Sequence, residues 1–165
     1  MKNNSIKDQG ARWSPAELLG LAGRLTAGAV FVYAGFLKLA APAEEFAYAI
    51  ETYKVMPDAV ALLAARTVPW VELYLGLLLI AGLYTRLAAL GTAGLLVFFE
   101  LLLAQAWLRG LPVTNCGCFG SGSSNPLWLE FTLNLAWLGA AWAAWRYGTR
   151  LSLDSVYPKA RQAAR

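Results

Sequence analysis

Few residues in this 165-residue chain can do chemistry, and they are concentrated. Its two cysteines, Cys116 and Cys118, lie one residue apart in Thr114-Asn-Cys-Gly-Cys-Phe-Gly120, a glycine-rich connection between two long apolar runs. A disulfide needs Cα atoms within about 4.4–6.8 Å. A bent Cys-Gly-Cys turn reaches that range, and Gly117 gives the backbone the freedom to bend. The ring is small, so a bridge here is strained, and strained disulfides are the labile, more oxidising ones. It also closes almost no loop, so it stabilises little through chain entropy. These properties favour redox exchange or capture of a soft metal over structural support. Thiolates select Cu(I), but here only two ligands are present. Exchange needs only the pair and a partner. Asn115 and the backbone N–H groups of the turn can stabilise a thiolate, as can Lys38 if it reaches.

The chain has no histidine, and so lacks the commonest metal ligand and the usual general base. Axial-His haem, Cys/His zinc and Ser-His hydrolysis are thereby disfavoured, and no metal site is assigned. The elements that position the cysteines must be membrane helices. Hydrophobic residues make up 58% of the chain and charged ones 15%, with a mean hydropathy of +0.48. Soluble domains average about 45–50% and about 25%. A bilayer core takes roughly 20 apolar residues per helix. Four stretches qualify: Leu18–Ala40, Val68–Tyr84, Leu87–Leu108 and Leu127–Tyr147. The second extends back toward Ala59 if the helix passes through Pro69. Between the first two, Phe46, Ile50 and Tyr53 recur at helical spacing, which predicts a short helix lying on the membrane or capping the bundle. The expectation is an all-α, polytopic four-helix bundle. Residues 1–17 form a cytoplasmic arm, 18–147 the membrane domain and 148–165 a basic cytoplasmic tail.

The net charge of +4 does not mark a nucleic-acid binder, because the basic residues flank apolar segments. Lys2, Lys7, Arg12, Arg86, Arg146, Arg150, Lys159, Arg161 and Arg165 fall on one side of the four spans, and Lys54, Arg66 and Arg109 on the other. By the positive-inside rule both termini are cytoplasmic in the inner membrane and the cysteine connection faces outward, where disulfides persist. From outside, one cysteine pair passes electrons inward only through a quinone in the bilayer or a second redox protein.

Charges inside a membrane are functional candidates. Lys38, Glu72 and Glu130 fall near the outer ends of their spans, and Glu100 roughly 12 Å deeper by helical rise. Lys38 and Glu72 are expected to pair, with Glu100 partnered or protonated. Asn134 and Gln105 are candidate interhelical hydrogen-bonders. Glu130 reads as a residue that snorkels to the interface. The stripe Gly20, Gly23, Ala27 and Ala34 reads as helix packing. Trp70, Trp107, Trp128 and Trp145 read as an interfacial belt.

The stretches "GRLTAGAVFVYAGFLKLAAP", "FAYAIETYKVMP", "VPWVELYLGLLLIAGLYTR" and "NCGCFG" resemble the MauE family of methylamine-utilisation membrane proteins, within the broader DoxX-like group of four-helix membrane proteins. The resemblance implies that Cys116 and Cys118 are a redox pair and that Lys38 and Glu72 are the family's buried polar positions. It implies a role in disulfide formation or maturation of an exported protein, which in the named pathway is the small subunit of methylamine dehydrogenase. It further implies an exported thioredoxin-like partner. Relatives often carry Arg-Asn where this chain reads Leu133-Asn134. The reading from another class is a non-catalytic membrane scaffold or transport component, with Cys-Gly-Cys as a metal clip or loop fastener.

Overall fold

The computed structural model describes residues 13–111, 126–149 and 151–155. The arm before these residues, the end of the tail, and Asn115, Cys116 and Cys118 lie outside them. Among the described residues five α-helices form: α1 Pro15–Ala40, α2 Ala43–Glu51, α3 Asp58–Ala81, α4 Thr85–Leu108 and α5 Leu127–Tyr147. A 3-10 turn, Leu153–Ser155, follows.

α1 starts three residues before the expected Leu18 because Ser14-Pro-Ala-Glu17 is a capping box. Ser14 Oγ accepts from the Glu17 N–H (3.3 Å), and Glu17 Oε2 accepts from the Ser14 N–H (3.0 Å). α3 does run back past Pro69, to Asp58. Its first ten residues project about 15 Å past the part that packs on α1. α2 packs on this overhang through Phe46, Ala47, Ala49 and Ile50 against Ala61 and Ala65. Tyr53 then carries the cap across to Leu103, Ala106, Leu127 and Phe131 of α4 and α5.

The four long helices form an up-down ring in which α1 touches α3 and α5, and α4 touches α3 and α5. The packing is inverted relative to a soluble domain. Most of the buried core residues are alanines, while Leu, Trp, Tyr and Phe side chains such as Phe36, Leu63, Trp70, Tyr74, Leu101 and Trp128 face outward. A bilayer provides no hydrophobic drive between helices, so small residues that let backbones approach decide the contacts. On α1 the stripe through Gly20 and Gly23 faces α5. A second small-residue face, which the stripe did not include, meets α3: a Cβ at Gly76 would sit 2.7 Å from the Gly28 carbonyl oxygen.

Among the described residues, α1, α3 and α4 are long and apolar enough to cross a membrane on their own. The expected count of four is corrected on that measure. α5 has the expected bounds, but its 21 residues include Glu130, Asn134, Arg146 and several tryptophans, and this load takes it below the other three.

Beyond the membrane helices, Asp154 of the tail turn caps α4. Its Oδ1 accepts from the Tyr84 N–H (2.8 Å) and its Oδ2 from the Thr85 N–H (2.7 Å). Gly82, at φ +70°, ends α3 in the left-handed region, and its carbonyl accepts from the Asp154 N–H. Burial acts to raise the Asp154 carboxyl. Hydrogen bonds from Thr85 and Tyr84 and the charge of Arg24 outweigh it and hold the carboxyl below its ordinary range.

Candidate functional site: a buried polar cluster at one end of the bundle

α1 ends, α4 ends and α5 begins at the same end of the bundle, under α2. Lys38, in the last turn of α1, is 3% exposed, and Glu72 on α3 is 2% exposed. The Lys38 Nζ donates to both Glu72 oxygens, at 2.7 and 2.8 Å. Its remaining hydration is replaced by aromatic faces, with the Nζ 4.9 Å from the Phe46 ring centroid and 5.6 Å from that of Phe99. Glu72 is not within a turn of the start of its helix, since α3 begins at Asp58. It is level with Lys38 because the preceding residues belong to the overhang. The close approach of α1 and α3 at Gly28, Gly35 and Gly76 lets the two side chains meet.

On the other side of the ring, Asn134 of α5 donates through Nδ2 to the Leu96 carbonyl (3.0 Å) and to Glu100 Oε2 (2.6 Å) of α4. Glu100 thus has a hydrogen-bond donor on the neighbouring helix. Gln105 is brought into no such contact: among the described residues its buried side-chain atoms have no hydrogen-bond partner.

Glu130 departs from its expected role. It is 3% exposed and does not snorkel, because the first turn of α5 turns this side chain into the ring rather than toward the interface. With Glu72, Asn134, Phe31, Phe99 and Trp137 it lines a cavity of about 30 Å³ among α1, α3, α4 and α5. A carboxylate in the first turn of an apolar helix has the same sequence signature whether it points to lipid headgroups or inward. The i, i+4 spacing of Glu130 and Asn134 was the signal available, since it places both on one face. Phe46 and Phe99, the rings around Lys38, had no comparable signal.

The cavity has room for about two water-sized groups. A quinone ring does not fit it.

The fold and this cluster define a class: an all-α, polytopic membrane protein with a buried ion pair and carboxyl cluster at one end of a helix ring. The chain belongs to the MauE family, since the model of that family, described as methylamine utilisation protein MauE, matches residues 16–147. Over 113 residues the chain is 34% identical to methylamine utilization protein MauE of Paracoccus denitrificans, covering 68% of this chain and 60% of that protein. Over 104 residues it is 35% identical to the MauE protein of Methylorubrum extorquens, covering 60% and 56%. It therefore spans less than two thirds of the length of these curated relatives. No solved structure matches.

Proposed function

We propose that this chain is a membrane accessory protein of methylamine utilisation, and that its Cys116–Cys118 pair exchanges disulfides with an exported thioredoxin-like protein. The exchange serves maturation of an exported, disulfide-containing protein. Family membership supports the pathway, as do the two relatives named as methylamine utilization proteins. The observation that carries the site is where the cysteine connection is anchored. Its flanks, Leu111 and Leu127, pack with Tyr53 into one apolar cluster at the end of the bundle that holds Lys38, Glu72 and Glu130.

In this reading α5 is the fourth crossing, with Glu130 and Asn134 turned into the ring and Trp128, Trp142 and Trp145 outward. The basic residues then keep both termini in the cytoplasm and the cysteine connection outside the inner membrane. One Cys116 or Cys118 thiolate attacks the partner's disulfide to form a mixed disulfide, and the second cysteine resolves it. Two electrons and two protons pass between the two dithiol pairs, and no cofactor is consumed. Run the other way, the same exchange oxidises the partner.

The test is a redox titration of the purified protein in detergent, with mass spectrometry of adducts trapped by Cys118→Ser and by Cys116→Ser. The expected result is a reversible midpoint and a covalent adduct with a thioredoxin-fold protein. A pair that stays oxidised at every accessible potential and traps nothing is a loop fastener. Stoichiometric Cu(I) capture by the dithiol makes it a metal clip on a scaffold.

A further inference from the structure

Tyr53 belongs to neither of the helices that carry the cysteine connection, yet both ends of that connection pack with it. We propose that Tyr53 is a positioning residue for the Cys116–Cys118 pair, one that presents the pair to a protein partner and that a small disulfide does not need. This role rests on the redox reading, and it makes the exchange selective for a macromolecule.

Each end of the connection is first fixed locally. α4 closes with Gly110 at φ +60°. The Leu111 N–H donates back to the Ala106 carbonyl (3.0 Å) and the Gly110 N–H to that of Trp107 (3.0 Å), the two bonds of a Schellman end. α5 opens at Pro126, whose carbonyl accepts from the Leu129 N–H (2.9 Å), and Leu127 is its first residue. Leu111 and Leu127 then pack in one cluster with Tyr53.

Tyr53 reaches them from a third segment. Thr52 Oγ1 donates to the Ala49 carbonyl (2.7 Å) and the Tyr53 N–H to the Ile50 carbonyl (3.2 Å), so Tyr53 continues the end of α2. The chain turns directly after it, at Lys54 in the left-handed region (φ +50°). α2 is itself seated on α3 through Phe46 and Ile50. Tyr53, 3% exposed, is thus held by α2 and α3 while it touches ends that belong to α4 and α5. Those two helices have contacts of their own. Trp107 and Phe131 meet edge-on across them, with ring centroids 6.1 Å apart, and Asn134 bonds α4 deeper in the ring. Tyr53 therefore adds something other than their pairing.

What it adds is order at the two ends. A thioredoxin-fold protein has to dock around the pair before its disulfide meets a thiolate, and each side chain that docking must order costs affinity and rate. Leu111 and Leu127 packed on Tyr53 arrive already ordered. A small disulfide approaches a single thiolate and gains nothing from that order.

The experiment sets the reduced full-length protein in detergent against two oxidants, a soluble bacterial thioredoxin in its disulfide form and 5,5′-dithiobis(2-nitrobenzoate). Either reaction closes the Cys116–Cys118 disulfide, and the two electrons and two protons pass to the oxidant, giving reduced thioredoxin or two thionitrobenzoates. Acid-quenched alkylation follows the first reaction and thionitrobenzoate absorbance the second. Tyr53→Ala should slow the thioredoxin reaction about tenfold, the order expected when docking must order a few freed side chains, and change the small-disulfide rate by less than about twofold. Tyr53→Phe keeps the ring and should restore the thioredoxin rate. Leu127→Ala shortens the other side of the same contact and should reproduce the selective loss, so it decides if Tyr53→Ala fails to elute and melt as a folded protein. An unchanged thioredoxin rate in a folded Ala variant overturns the assignment. So does equal slowing with both oxidants, which would place the effect on the thiols themselves, or a Tyr53→Phe protein as slow as Tyr53→Ala. A wild type that reacts with the small disulfide but not with thioredoxin overturns it too. The redox reading has its own titration and trapped adducts, so these results leave it standing, whereas a wild type that reacts with neither oxidant sinks both.

Discussion

Replacing Lys38 with Met leaves the Glu72 carboxylate in a site 2% exposed, without either of its two short hydrogen bonds from the ammonium. Each charge-assisted bond is worth about 1.5–3 kcal/mol, and breaking a buried pair by removing one partner costs about 3–5 kcal/mol. Glu72→Leu strands the ammonium instead. The rings of Phe46 and Phe99 then recover about 1–2 kcal/mol at most, so this variant should fall near the lower end of that range. Lys38→Met with Glu72→Leu removes both charges and leaves two apolar side chains of similar volume, so the double variant should be more stable than either single. The coupling energy in the cycle is then several kcal/mol, well above the roughly 0.5–1.7 kcal/mol of ordinary interhelical hydrogen bonds in membranes. The assay is reversible unfolding in mixed micelles by SDS titration, following tryptophan fluorescence, on all four proteins. If the double variant loses the sum of the single losses, the two residues are not coupled and the reasoning fails.

Helix contact gives a second prediction. Gly76→Ala places a Cβ against the Gly28 backbone and should destabilise by about 1–3 kcal/mol. Gly94→Ala, with open space around it, should be neutral or stabilise by up to about 1 kcal/mol; the same SDS titration reads both. The Asp154 cap predicts a pH dependence. Its carboxyl is held below the ordinary range, so the stabilisation is fully present above about pH 4 and is lost as pH falls through the folded-state value. Asp154→Asn should lower the melting temperature at neutral pH and converge with wild type in acid. An unchanged difference at every pH would assign the effect to packing. The proposed topology predicts that a membrane-impermeant thiol reagent labels Cys116 and Cys118 in intact, reduced cells. Labelling only after lysis would reverse the orientation.

The overhang of α3 shows what apolar periodicity does not carry. A hydropathy window sees where a helix becomes apolar enough for a bilayer, near Val68. It does not see where hydrogen bonding starts, because Pro69 lacks an N–H yet its fixed φ remains compatible with a helix. Asp58–Thr67 are helical because α2 covers their Ala61 and Ala65 face, a contact between separate segments. The start of α1 was written locally instead, in Ser14 and Glu17.

By itself, the sequence determined the class of protein and the positions of its long helices. Apolar run length against bilayer thickness is a one-dimensional property, and α5 has the bounds its run implied. It also determined which polar side chains are in apolar segments, because each such charge is costly enough to be conspicuous. Which of them meet was decided by tertiary structure. Lys38 and Glu72 are joined through the close crossing of α1 and α3 at Gly28 and Gly76, and Asn134 and Glu100 through the pairing of α5 with α4. Glu130 is turned inward by the rotation of α5 about its own axis. That rotation is set by packing against neighbouring helices, and spacing along one chain does not encode it. The Asp154 cap depends in the same way on a residue about seventy positions from the helix it caps, near in space only after the ring has closed.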